Sequence, residues 1–242
     1  MEISLGMLIV GSLYWDDDPH RSLWRHKRLD LEAPRGVLAP IRYGRSSVKR
    51  GNTYTMVFSE TLARDEVKLG TAIFVPCKSL VRTVEDLVEE AEILWAAERK
   101  SGASNGCISA PWGCVGLAVN PDRPIPDDLR RGWGTHVSRE QCYGGLNRAE
   151  DEKAIVEGSG VLNIPWPKCT DGSHLEVDAL LATATNPTLV DGRYPSAQEI
   201  ATAWNTDTSS NYVEYFRKNR EHDITTFQDD KIESYLIDGI SA

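Results

Sequence analysis

Met7-Leu8-Ile9-Val10-Gly11-Ser12-Leu13-Tyr14-Trp15 begins as a short apolar run and stops at a glycine-serine pair. A continuous run of this length, ended by a turn signal, is how a fully buried strand feeds a loop. More strands follow it. Residues 53–59 alternate, with Tyr54, Met56 and Phe58 on one face, and predict a half-buried strand. Residues 71–75, stopped by Pro76, and residues 112–119 and 177–185 predict three more. Helical signals come mostly later. Ser196 and Glu199 form a capping box after Pro195 and open a helix with Ile200 and Trp204 on one face. Tyr212, Val213 and Phe216 set a second helix; Asp230 and Glu233 open a third, with Ile232, Tyr235 and Leu236 inward and Gly239 closing it. Strands first and helices last predict an α+β fold, with residues 1–242 as one domain. Residues 102–172, rich in Gly, Pro and Trp and weakly periodic, read as a strand plus long loops or an insertion.

One helix falls among the strands, at residues 83–100. Leu87, Ala91, Leu94 and Trp95 recur at the 3.6-residue period, Thr83 is the expected N-cap, and Glu98 continues the apolar stripe. Glu85, Asp86, Glu89, Glu90 and Glu92 fall mostly on the wet side. An inward carboxylate must be paired, hydrogen-bonded or protonated, which makes Glu98 a candidate general base. A helix-end glutamate turned into solvent is the alternative, because Gly102 marks a C-terminus nearby.

A chain of 242 residues with 40% hydrophobic content can bury a sizeable core. No run approaches the roughly 18 apolar residues of a membrane span, and residues 1–10 lack a basic start followed by a long apolar region, so a cytoplasmic protein without membrane contact is expected. Five cysteines, an odd number, fit reduced thiols better than a disulfide framework. The net charge of −9 argues against general nucleic-acid binding. That charge is uneven: residues 1–50 carry nine Lys and Arg against six acids, net +3, and the remainder is −12. Arg42, Arg45 and Arg50 lie in this basic segment, which suits a small anionic ligand. For Arg25 to Arg28 the expectation is a solvated surface, with Trp24 in the core.

Other motifs carry less. Cys107 and Cys114 are seven apart while Cys142 and Cys169 are isolated, so no tight metal-ligand pair is present. Asp16-Asp17-Asp18 with His20 and His26 reads as an acidic turn. Gly158-Ser159-Gly160 lacks a following Lys-Ser/Thr. Ser12 lacks the second glycine of a nucleophile elbow and is a binding hydroxyl rather than a nucleophile.

The segment Gly11-Ser12-Leu13-Tyr14-Trp15 resembles the glycine-serine-leucine-x-tryptophan loop of the ChaC-type gamma-glutamylcyclotransferases. Further pieces are similar in the same order: basic residues 42–50, the strand at Thr53, Gly70-Thr71-Ala72, Leu94-Trp95-Ala96-Ala97-Glu98, and the tail from Pro195 through Asn211-Tyr212 to Leu236. Two departures stand out. Val10 occupies the place of the family's tyrosine, and the glycine and tyrosine that commonly follow the catalytic glutamate are not recognisable in residues 99–105.

The resemblance implies a gamma-glutamylcyclotransferase-like fold, a small mixed barrel-like sheet flanked by helices. It also implies an enzyme that releases 5-oxoproline from a small gamma-glutamyl amine or peptide, glutathione being of that class. The free α-amino group attacks its own γ-carbonyl, closes a five-membered lactam and expels the amine. Glu98 is then the catalytic base, and Gly11, Ser12, Leu13, Tyr14, Arg45 and Arg50 bind the substrate; no metal or organic cofactor is required. A non-catalytic ligand- or partner-binding module of the same fold is the alternative, and a related amine or amide chemistry in the same cavity a third. The oligomeric state is not legible.

Overall fold

The computed structural model describes residues 2–47, 53–101, 106–140, 142–146, 148–207 and 211–236. Arg50, Gly102 and Gly239 lie outside them.

The opening run forms β1 (Leu5–Ile9), buried at every position. Burial on both faces explains its unbroken apolar character. It lies inside a six-stranded mixed sheet, antiparallel to β5 (Gly70–Pro76) on one side and parallel to β8 (Ala179–Thr185) on the other. The sheet extends past β5 to β2 (Arg35–Ala39), and past β8 to β7 (Gly113–Val119) and the two-residue β6 (Ser109–Ala110). A separate hairpin, β3 (Ile41–Ser47) with β4 (Thr53–Phe58), packs beside β5 and β8. Its register shifts at Gly44, directly before Arg45. The expected half-burial of the fourth strand is incomplete, because Thr53, Met56, Val57 and Phe58 are all buried. The strand order is open from β2 to β6.

Six helices accompany the sheet among the described residues. α1 (Pro19–Arg28) starts on Asp18, whose carboxylate accepts from the His20 and Arg21 N–H groups. α2 (Val84–Glu98) starts on Thr83, which forms a capping box with Asp86. α1 packs on α2, and α2 packs on β7, β8 and α3 (Asp127–Val137). α4 (Ala197–Asn205) carries the expected Ser196–Glu199 capping box; α5 (Asn211–Glu221) lies against residues 11–13 and β4, and α6 (Asp229–Glu233) against α4. The architecture is α+β with a mixed sheet. No helix among the described residues is long and apolar enough to cross a membrane.

Several local expectations are corrected. Residues 102–172 hold β6, β7 and the helix α3 as well as loops. Glu90 is buried rather than wet, because α1 covers that side of α2 and Arg28 bonds both Glu90 oxygens, at 3.1 and 3.3 Å from Nε. Arg25 is buried too, while Trp24 is in the core as expected. Tyr235 is exposed, not inward, since α6 ends at Glu233, one turn earlier than the pattern implies.

Candidate active site

β1 ends at Ile9 and the chain makes a tight 3-10 turn over Gly11–Leu13. Gly11 has φ 76°, in the left-handed region where a side chain is disfavoured. A Cβ there would also collide with the Tyr215 hydroxyl, which reaches over the turn from α5 and accepts the Met56 N–H at 3.3 Å. Arg25 pins the turn from its other side, donating to the carbonyls of Leu13 and Asp16 at 2.9 Å each.

A cleft of about 690 Å³ opens beside this turn. Val10, Ser12 and Leu13 form one wall, Glu98, Arg99 and Lys100 at the end of α2 a second, and Arg45 with Thr55, Met56 and Val57 of the hairpin a third. The volume is in the range of small-molecule sites. Thus the structure brings Ser12, Leu13, Arg45 and Glu98 into one cleft, although they come from three separate parts of the chain. The two other residues of the loop are placed differently. Gly11 is buried under Tyr215 and does not line the cleft, and Tyr14 turns away to meet His222 edge-on, with ring centroids 5.3 Å apart. The 3-10 geometry puts Tyr14 beyond the turn, outside the cleft lining. Arg42 also stays outside the cleft, where its guanidinium sits 4.4 Å over the Tyr194 ring. Arg50 lies outside the described residues.

Glu98 is half-buried, with its side chain 19% exposed, and its orientation is tied to Arg21. The Arg21 guanidinium is buried at the helix end. It donates from Nε to the Ala97 carbonyl at 3.1 Å, from Nη2 to the Glu98 carbonyl at 3.2 Å and from Nη1 to Ser12 Oγ at 2.9 Å. These are carbonyls that the last turn of a helix leaves without an intrahelical donor. The same guanidinium faces the Glu98 carboxylate at 3.9 Å and Asp16 at 3.1 Å. Lys100 Nζ also reaches Asp16, at 2.8 Å. Burial alone works against ionising Asp16, but the Lys100 and Asp18 hydrogen bonds and the Arg21 charge outweigh it, and the carboxyl is held below its usual range.

Arg45 is fixed by stacking. Its guanidinium lies 4.7 Å from the Trp112 centroid, and Trp112 in turn stacks on Trp95 at 4.7 Å, one helical turn before Glu98. Among the described residues the cleft lining therefore holds four cations, Arg21, Arg45, Arg99 and Lys100, and one carboxylate, Glu98. Such a lining favours an anionic ligand and offers it one proton acceptor.

Sequence patterns alone do not point to Arg21, Lys100 or Trp112. Tyr215 has a signal, since it neighbours Phe216 on the predicted helix; Arg21 has none, because the face that its helix buries is made of Arg21, Trp24 and Arg25 and not of an apolar stripe. Asp16 and Asp18, read as an acidic turn, are the Lys100 partner and the α1 cap.

Comparison of the chain with protein-family models, curated proteins and solved structures finds no significant match.

Proposed function

We propose that the protein is a gamma-glutamylcyclotransferase-like enzyme that releases 5-oxoproline from a small gamma-glutamyl amine or peptide. The observation that carries the reading is the convergence of Ser12 and Leu13, Glu98 and Arg45 on one cationic cleft. A gamma-glutamyl compound presents an α-carboxylate, an α-ammonium and a γ-amide within one short chain. Arg45, on its Trp112 support, meets the carboxylate; Glu98 takes a proton from the ammonium. The freed amine forms a bond to the γ-carbon, and Ser12 and Leu13, which line the cleft, are the source of main-chain N–H donors for the oxygen that becomes an anion. Collapse of the tetrahedral intermediate breaks the bond to the leaving nitrogen, which receives the first proton back from Glu98; the ring nitrogen gives up its second proton to the same carboxylate as the lactam forms, and this too passes to the leaving amine, which departs as an ammonium. No net proton is consumed. The nucleophile is tethered to its target, so the protein's work is orientation and proton transfer. An α+β chain with a mixed sheet, whose helices α1 to α3 fall among the strands and α4 to α6 after them, is consistent with the same fold assignment.

Incubation with a panel of gamma-glutamyl compounds, glutathione among them, is expected to yield 5-oxoproline from at least one. Its absence from all of them ends the reading.

A second reading, a ligand- or partner-binding module of the same fold, is favoured by Val10, which lines the cleft where the family has tyrosine. Calorimetric binding of a panel member without turnover selects it.

A further inference from the structure

The cleft adjoins a side pocket of about 350 Å³, lined by Trp15, Asp16, Asp17, Glu214 and Lys218. Lys100 and Tyr215 line both spaces, and the Lys100–Asp16 ion pair lies at their boundary. Two features make that ion pair separable. The Lys100 side chain is 44% exposed, so its ammonium can leave Asp16 without being stranded away from water. Asp16 keeps Arg21 at 3.1 Å and the Asp18 N–H at 3.0 Å when Lys100 departs, so its carboxylate stays paired. The Lys100 backbone itself has φ 54°, the left-handed position after a helix that glycine usually takes.

We infer that Lys100 is a specificity-determining residue, whose ammonium an anionic group at the far end of the ligand's leaving arm draws off Asp16 toward the cationic cleft. The inference rests on the cyclotransferase reading, which supplies the leaving arm. Its chemical content is narrower. The protein should prefer a gamma-glutamyl peptide ending in a carboxylate over one of equal length ending in a neutral amide.

The test compares gamma-glutamylglycylglycine with gamma-glutamylglycylglycinamide, which differ only in that terminal charge. The quantity read is the ratio of their kcat/KM values for 5-oxoproline release. In the unaltered protein the carboxylate should be favoured about tenfold, the worth of one charge-assisted hydrogen bond. Lys100→Met should bring the ratio to about one, through KM rather than kcat, and Lys100→Arg should restore most of it. Asp16→Asn, which removes the competitor for the ammonium, should raise the ratio above that of the unaltered protein. General damage to the cleft would move both compounds together and leave the ratio alone. A ratio near one in the unaltered protein, or one that Lys100→Met and Asp16→Asn leave unmoved or shift in the same direction, overturns the inference while the cyclotransferase reading stands. Absence of 5-oxoproline from both peptides and from the wider panel removes that reading and this inference with it.

Discussion

Ser12 and Glu98 share a partner, the buried guanidinium of Arg21, which donates to the Ser12 hydroxyl at 2.9 Å and faces the Glu98 carboxylate at 3.9 Å. The β1 turn and the C-terminal end of α2 are therefore held at a fixed separation by one side chain from α1. A substrate that spans the two needs that spacing, and neither element sets it alone.

Arg21→Met should be strongly destabilising, by about 3 kcal/mol, because the Glu98 carbonyl loses the Arg21 donor, the Ala97 carbonyl is left with the Lys100 N–H, and a buried ion pair loses its cation. Arg21→Lys should recover only a minor part, since an ammonium cannot reproduce a planar fork that serves Ser12, Asp16 and two carbonyls at once. Urea unfolding of the two variants checks this. A Lys variant as stable as the original protein would show that charge alone, not fork geometry, holds the turn to the helix.

A second prediction concerns pH. Asp229 is buried at the start of α6, and one of its oxygens accepts from the Thr226 N–H at 3.0 Å and the Thr226 hydroxyl at 2.5 Å. The other has no hydrogen-bond partner among the described residues. Burial outweighs the two Thr226 hydrogen bonds and raises the carboxyl from 3.8 to about 6. Between these values the folded chain holds a proton that the unfolded chain has released. Stability from this group is therefore fully present below about pH 4 and is lost as pH rises through about 6, by roughly 2–3 kcal/mol. Asp229→Asn keeps an acceptor for Thr226 and carries no charge, so it should melt higher than the original protein at pH 7.5 and show little advantage at pH 4. An equal gain at both values would locate the effect in packing instead.

How far the sequence discloses this molecule depends on whether burial is apolar. β1, α2 and the Ser196 capping box are legible because Leu8, Leu94 and Ile200 advertise their faces by hydrophobicity. α1 is the reverse. Its inward face is Arg21, Trp24 and Arg25, whereas Leu23 is 53% exposed, so a search for an apolar stripe finds nothing. Two errors follow from that one omission: without α1, Glu90 looks solvated, and Glu98 looks like an isolated inward carboxylate rather than one facing Arg21. α3 is hidden differently, by Gly132 and Gly134 inside an 11-residue helix. The cleft is legible only in parts, since periodicity places Glu98 on a face and the turn at Gly11, but nothing local tells that Arg45 reaches them through Trp112.

The final prediction separates chemistry from structure at Glu98. Once 5-oxoproline release is measurable, Glu98→Gln should reduce it by at least about 10²-fold, the lower end of what a positioned general base contributes. Gln keeps the shape of the side chain and an oxygen toward Arg21, but it cannot take the ammonium proton. The fold should tolerate the change, because the Arg21 hydrogen bonds at this helix end go to the Ala97 and Glu98 main-chain carbonyls and survive the substitution. The ion pair that is lost is long, at 3.9 Å, and is worth little by itself. Thermal melting of both proteins in one buffer supplies the control. A variant that melts far below the original would make Glu98 the structural partner of Arg21, and its activity loss indirect. If it melts normally and turns over at the original rate, the proton acceptor is another group and the catalytic assignment of Glu98 is wrong.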